Sequence, residues 1–202
     1  MTQNYLMMFC ILPLLAYLLG SIPFGFLLGK SRGIDIRIHG SGNIGSTNVK
    51  RVAGRGISIL TQIGDILKGL IPVTIAIVVI PHLDLVVDQD IIISLTALAA
   101  IAGHDFTPFL RFRGGKGANT TLGAFLPIAL IPVLVCVFIF LLLRLVTPIV
   151  SIRTLASVVS CPVIAGLLYL PIIIVLALAA AAGLIVLRHK DNIKRLVAGT
   201  EC

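Results

Sequence analysis

Residues 5–28 read YLMMFCILPLLAYLLGSIPFGFLL, without one charged side chain, and the first cation of the chain, Lys30, follows them. A helix rises about 1.5 Å per residue, so such a stretch covers the roughly 30 Å hydrocarbon core of a bilayer. It lacks the basic leader of a signal peptide and exceeds the usual length of one, and it reads as an uncleaved first span with its amino end outside. The runs Ile57–Ile80 and Thr121–Leu143 are of similar length. Over all 202 residues the chain is 58% hydrophobic and 12% charged, with mean hydropathy +1.11. Soluble domains carry about 25% charged residues. A soluble core cannot absorb this much apolar surface, and the fold expected is all-α, a polytopic integral membrane protein.

Apolar runs lie at about 5–28, 57–80, 91–110, 118–143, 151–169 and 171–187. Six spans would put the basic stretches Lys30–Arg55 and Arg188–Arg195 on opposite sides, against the tendency of Lys and Arg to stay cytoplasmic. Pro127 and Pro132 interrupt the fourth run, and each removes a backbone donor and crowds the preceding turn. Splitting that run gives seven spans with the carboxyl end cytoplasmic. Every Lys and Arg then lies in a cytoplasmic loop, tail or helix end except Lys68, while Asp84, Asp88 and Asp90 lie outside. A five-span alternative, which fuses the last two runs, strands Arg144 and Arg153 outside. No repeat or linker divides residues 1–202, which read as one domain.

The net charge of +8 follows from this topology. No basic soluble domain or aromatic stacking platform accompanies it, so no nucleic-acid partner is expected. Cys10, Cys136 and Cys161 stand singly in apolar runs and Cys202 ends the sequence, which suggests neither a disulfide framework nor a metal site. The carboxylates are few and scattered, so no metal and no cofactor is expected.

Chemistry concentrates in three clusters. The first, Arg37–Arg51, reads RIHGSGNIGSTNVKR. Gly40, Gly42 and Gly45 fit GxGxxG, and Gly40–Thr47 approaches a P-loop with Ser46 where the lysine belongs. Both motifs need a preceding buried strand, whereas this loop follows a membrane span, so Rossmann and NTPase folds are rejected. The physics remains: glycines let backbone N–H groups converge on an anion, with Ser41, Thr47, Asn48 and Arg51 as side-chain donors. The second cluster, Gly103–Gly117, reads GHDFTPFLRFRGGKG and surrounds Lys116 with Gly114, Gly115 and Gly117. His104 there reads either as a base near neutral pH or as a helix-end residue. In the third, Arg188–Glu201, His189, Asn192 and Arg195 share a helix face at i,i+3 spacing, and Lys190 and Lys194 suit anionic lipid. Asp65 and Lys68, within the second run, read as a structural ion pair or as a catalytic one. Gly20–Gly25 (GSIPFG) reads as loosening of the first span for close packing.

Taken together and in order, GSIPFG (20–25), GSGNIGSTN (40–48), DILKG (65–69), GHDFTPF (103–109), GGKG (114–117) and HKDNIKRLVAGTE (189–201) resemble the bacterial membrane glycerol-3-phosphate acyltransferase family that uses acyl-phosphate, the PlsY family. The resemblance spans nearly the whole chain. It implies a seven-helix enzyme of the bacterial inner membrane that moves a fatty acyl group from acyl-phosphate to sn-glycerol 3-phosphate. The products would be 1-acyl-sn-glycerol 3-phosphate (lysophosphatidic acid) and phosphate, with no acyl-CoA or acyl carrier protein at the site. It implies Ser41, Lys116, His189 and Asn192 as catalytic groups. Substrate binding would involve Gly40, Gly42, Asn43, Gly45, Thr47, Asn48, Arg51, His104, Gly114, Gly115, Gly117, Arg195 and Glu201. Besides the two substrates and the bilayer, the soluble enzyme that makes acyl-phosphate is an expected partner. Asn119, after GGKGA, departs from the small apolar residue expected there.

Two phosphate-bearing substrates about 6 Å apart repel by roughly 3 kcal/mol at an effective dielectric near 20, which cations and N–H nests at Arg51 and Lys116 would offset. In this reading Lys116 and loop amides hold acyl-phosphate, and Arg51 with His189 and Asn192 holds glycerol phosphate. The hydroxyl proton goes to a substrate phosphate oxygen, with His104 or His189 as the rival base. Phe106, Phe109 and Phe112 would wall the acyl chain or anchor the interface. The competing function is a transporter for a phosphorylated solute, motivated by Asp65, Lys68 and the broken helices.

Overall fold

The computed structural model describes residues 2–82 and 88–201, with side chains from residue 9 onward. Asp84 and Cys202 lie outside the described residues. Among the described residues every long element is helical: α1 (Thr2–Gly20), α2 (Phe24–Lys30), α3 (Ser46–Val79), α4 (Gln89–Asp105), α5 (Ala118–Phe125), α6 (Leu130–Leu142), α7 (Val150–Leu167), α8 (Ile172–Arg188) and α9 (Lys190–Val197). The all-α expectation holds.

Proline and glycine place the breaks. Pro23 separates α1 from α2, and Pro127 lies in the turn between α5 and α6, where the sequence expected the fourth run to divide. Pro132 falls in the first turn of α6, where a missing N–H leaves no intrahelical bond unmade. Within α3, Gly54 adopts φ 87° and ψ 173°, a backbone region that glycine alone enters readily. The kink brings the start of α3 beside the turn that follows Gly54, so that Ser58 Oγ donates to the Ser46 carbonyl at 2.8 Å.

Among the described residues four stretches are long and apolar enough to cross a membrane: Phe9–Lys30, Ser46–His82, Gln89–Leu110 and Val150–Leu167. Ile172–Arg188 with Lys190–Val197, bent by 59°, makes a fifth if the pair is one span, and Leu130–Leu145 is a shorter apolar helix. The eight residues of α5 extend about 12 Å, too short to cross 30 Å unaided. Each of the seven expected segments is thus helical, while α5 and α6 are shorter than the stretches that reach the length of a full span.

Glycines let the helices approach to backbone contact. A methyl group on Gly20 would strike the Ala100 carbonyl of α4, and one on Gly103 the Tyr17 carbonyl of α1. The same seam is closed by Tyr17 Oη donating to the Phe106 carbonyl and Thr107 Oγ1 to the Ser21 carbonyl, each at 2.7 Å. Gly69 and Gly123 similarly let α3 and α5 meet. One apolar core, including Val73, Ala97, Phe125, Val133, Cys161 and Leu178, joins α3 to α8. The glycine-rich and basic segments gather at one end of this bundle.

Candidate active site

The first loop is organised by Asn48, buried in the first turn of α3. Its Nδ2 donates to the carbonyls of Ile36 (3.0 Å), Asn43 (2.9 Å) and His39 (3.2 Å), and its Oδ1 accepts the Ser41 N–H at 2.8 Å. Asn43 Oδ1 accepts the Gly45 N–H at 2.8 Å, and the Gly42 N–H goes to His39 at 3.1 Å. Gly40 and Gly42 turn the chain at φ 60° and 70°. Three amides expected to converge on an anion therefore already have partners inside the loop. Side chains and the unpaired N–H groups of the first turn of α3 remain to face a ligand.

The second glycine cluster differs from expectation in the same way. Gly114 N–H donates to the Asp105 carbonyl at 3.1 Å and Gly115 N–H to the His104 carbonyl at 3.0 Å. Glycine is needed there for room, because a methyl group on Gly115 would strike the His104 ring and one on Gly114 the His104 carbonyl. From the opposite side Arg188 donates Nε to Gly115 and an Nη to Gly114, each at 3.0 Å, with its guanidinium over the Phe106 ring at 5.3 Å. Lys116 thus rises from a strap pinned on both faces. Gly117, at φ 76°, starts α5 immediately after it.

The third cluster meets the second. Lys116 Nζ donates to Asn192 Oδ1, and Asn192 Nδ2 donates to Glu201 Oε1. Glu201 also accepts from Ser151 Oγ at 2.9 Å and from Arg195 Nε at 2.6 Å. Burial lowers the Lys116 ammonium to about 8 in spite of Glu201. For Glu201, burial pushes the carboxyl upward, but hydrogen bonds from Asn192, Arg195 and Ser151 together outweigh it and hold it below the usual range. His189, buried at the bend between α8 and α9, places Nδ1 2.8 Å from the Ile185 carbonyl. A carbonyl only accepts, so neutral His189 carries its proton on Nδ1 and keeps Nε2 as an acceptor.

These residues line a cavity of about 550 Å³. Ser41, Asn43, Gly45, Thr47, Asn48, Arg51, His104, Lys116, Gly117, His189, Asn192, Arg195 and Glu201 all border it. Gly42 and Gly114 border instead a second cavity of about 380 Å³, which shares Ser41, Asn43, Lys116, Asn192 and Arg195 with the first. Gly40 and Gly115 border neither and serve the loop backbones. Asp65 borders the large cavity while paired with Lys68 at 2.8 Å, and Lys68 also donates to the Ile22 carbonyl at 2.9 Å. His104 Nδ1 lies 3.4 Å from Asp65 Oδ1. Both partners of the ion pair are buried, which fits its structural reading.

A family model described as glycerol-3-phosphate acyltransferase matches residues 10–199. The chain belongs to this PlsY acyltransferase family. It is 49% identical over 189 residues to a glycerol-3-phosphate acyltransferase of Clostridium acetobutylicum, covering 93% of this chain and 96% of that one. A Geotalea daltonii protein of the same description is 46% identical over 186 residues, 92% of each. Among solved structures, PlsY (YgiH), described as an integral membrane glycerol 3-phosphate acyltransferase in its glycerol 3-phosphate form, superposes with TM-score 0.89 at 33% identity. The match covers 96% of this chain and 94% of that one. Its lysophosphatidic acid form gives TM-score 0.87 at 32% identity. This acyltransferase family member is therefore a multi-pass membrane protein.

Several groups at the cavity escaped sequence reading. Asn119, the apparent departure from the acyltransferase pattern, borders the cavity and donates Nδ2 to Ser46 Oγ at 3.1 Å. Ser151, which orders Glu201, and Arg153 reach it from α7. The apolar part of the cavity is formed by Leu122, Phe125, Val133, Val137, Phe140 and Leu178, whereas Phe109 lies exposed and Phe106 and Phe112 border the smaller cavity. Phe106, Phe109 and Phe112 thus stand apart from this apolar part, which α5, α6 and α8 supply. Its i,i+3 and i,i+4 spacing on α5 and α6 was the available signal.

Proposed function

We propose that this chain transfers a fatty acyl group from acyl-phosphate to the hydroxyl of sn-glycerol 3-phosphate, yielding 1-acyl-sn-glycerol 3-phosphate and inorganic phosphate. The site would face the cytoplasm at the inner membrane, with the amino end outside. The observation that carries this reading is one cavity of two characters. At one end Lys116, Arg51, His189 and the first turns of α3 and α5 gather, and helix N-termini with cations suit phosphate. Along α5, α6, α7 and α8 the lining residues then become apolar, whereas α3 stays polar as far as Asp65. From Arg144, just past α6, back to Val133, from Ser151 to Cys161 on α7, and from His189, at the end of α8, back to Leu178, the lining covers ten or eleven residues each, about 16 Å of helix. An amphiphile with a phosphate head and a hydrocarbon tail fits such a space. A small phosphorylated solute would not use its apolar end.

In the reaction the glycerol hydroxyl oxygen forms a bond to the acyl carbon, the bond from that carbon to the phosphate oxygen breaks, and the hydroxyl proton ends on the released phosphate. Acyl-phosphate is already activated, so no enzyme nucleophile is required. Lys116, fixed by Asn192, would neutralise phosphate charge, and Arg51, Ser41 and Thr47 would hold the second substrate on the facing wall. Holding both reactants in one cavity removes association entropy from the chemical step. His189 Nε2 can accept the hydroxyl hydrogen bond and orient it, with a phosphate oxygen as the final proton acceptor.

The test is lysophosphatidate formation by purified protein in detergent from palmitoyl-phosphate and radiolabelled glycerol 3-phosphate, beside Lys116→Ala. Product that requires Lys116 is expected. No product from folded protein with intact donor would defeat the reading.

A further inference from the structure

Arg153 serves in the sequence only as a marker of topology, yet its surroundings are those of a binding group. It occupies the first turn of α7 and is 8% exposed. Its guanidinium lies 4.8 Å from the centroid of the Phe140 ring on α6, and its Nε, closed off from solvent, meets no acceptor. Among the described residues no carboxylate pairs with it. A buried cation without a counter-ion is strongly unfavourable, and buried donors in folded proteins nearly always have partners. The Phe140 face fixes the plane of the guanidinium but offers it no lone pair. A ligand anion is the missing partner.

The position narrows which anion. Arg153 borders the large cavity, and Ser157 and Cys161 follow it there at i+4 and i+8 on the same face of α7. Cys161 packs in the apolar core with Phe125 and Leu178. Arg153 therefore stands where the polar end gives way to the hydrocarbon end. A wholly polar phosphate ester has no use for that boundary, whereas an anion with an apolar tail must straddle it.

We infer that Arg153 binds the phosphate head of the acyl donor, its planar fork taking two phosphate oxygens while the acyl chain runs on past Ser157 and Cys161. This rests on the donor being an acyl-phosphate, as proposed above. Arg153 joins Lys116 in holding the donor, and the glycerol ester is left to Arg51 and its neighbours.

The experiment compares full-length wild type, Arg153→Met and Arg153→Lys in detergent. The probe is a long-chain β-ketoalkyl phosphonate, in which CH₂ replaces the bridging oxygen of acyl-phosphate, and binding is followed by calorimetry and thermal shift. Without ligand, Arg153→Met should melt higher than wild type, because the unpaired charge is gone. Its phosphonate Kd and its donor KM should rise roughly ten- to hundredfold, the worth of hydrogen bonds to a charged group. Arg153→Lys should recover part of that affinity, and the KM for glycerol 3-phosphate should change little. A folded Arg153→Met protein that binds the phosphonate like wild type overturns the inference, and so does a loss confined to glycerol 3-phosphate. Wild type that neither binds the phosphonate nor turns over acyl-phosphate sinks the donor assignment itself, a result distinct from equal binding by wild type and variant.

Discussion

The ammonium of Lys116 donates to the side-chain oxygen of Asn192, tying the strap before α5 to α9 across 76 positions of sequence. Asn192 can give Lys116 an acceptor because its amide nitrogen is spent on Glu201. The cation is aimed without being neutralised by direct contact with a carboxylate, which leaves it available to phosphate.

That arrangement sets a pH dependence. Burial lowers Lys116 to about 8, so its charge is present below that pH and lost above it. The value of kcat/KM should hold to about pH 8 and then fall, while bound substrate anions carry the corresponding limb of kcat to higher pH. Free lysine titrates near 10.4, so between about 8 and about 10 the unfolded chain keeps a proton that the folded one has released. Stability should rise with pH across that window as activity declines. Rates and melting temperatures measured on the same samples check both signs, and Lys116→Arg should move the alkaline limb upward.

Asn48 holds the first loop through four backbone groups, so its contribution is to structure before substrate. Asn48→Ala should cost about 3 kcal/mol, since each buried partner left unpaired is worth roughly 1–3 kcal/mol. Melting temperature and turnover should drop together. A raised KM for glycerol 3-phosphate at unchanged melting temperature would instead make Asn48 a direct ligand.

Two glycines give a matched contrast. Gly103→Ala drives a methyl group into the Tyr17 carbonyl, backbone that cannot swing aside, and should destabilise by about 1–3 kcal/mol through overpacking. A methyl group added at Gly183, within α8, would meet no neighbouring element within 4 Å, and Gly183→Ala should gain about 0.5–1 kcal/mol of helix stability. Thermal unfolding in one detergent compares the pair, and equal effects would refute the α1–α4 seam.

Asp65 and Lys68 form a buried pair that breaks badly from one side. Asp65→Asn removes the charge that balances the Lys68 ammonium, leaving it only neutral acceptors such as the Ile22 carbonyl, and should cost about 3–5 kcal/mol. The Asp65→Asn/Lys68→Met double variant should recover most of that loss. A double-mutant cycle on melting temperature measures the coupling, and additive effects would show that the pair is not coupled.

Much of the architecture was legible because membrane insertion is written in long apolar runs and in the placement of Lys and Arg. The division at Pro127 and the three glycine-bearing clusters fall where the sequence puts them. The purpose of the glycines was harder to read. GSGNIG and GGKG look like anion nests, yet the amides of Ser41, Gly42, Gly45, Gly114 and Gly115 bond within the protein. Spacing alone cannot tell an amide turned toward a ligand from one turned toward an acceptor within the protein. Arg153 was obscure for a related reason: only packing reveals that a cation at a helix start is buried beside Phe140.

The seam between α1 and α4 separates two properties that hydropathy merges. Almost any apolar helix of the right length enters a bilayer, but the Gly20–Ala100 and Gly103–Tyr17 approaches admit few partners. A generic oligoleucine segment in place of α1 would still be inserted and would still fail to assemble, because its side chains would hold α4 away and withdraw the hydroxyl that Tyr17 gives to Phe106. Since α4 ends in His104 and leads into the strap bearing Lys116, an apolar helix at the start of the chain acts as a template for a polar site far along it.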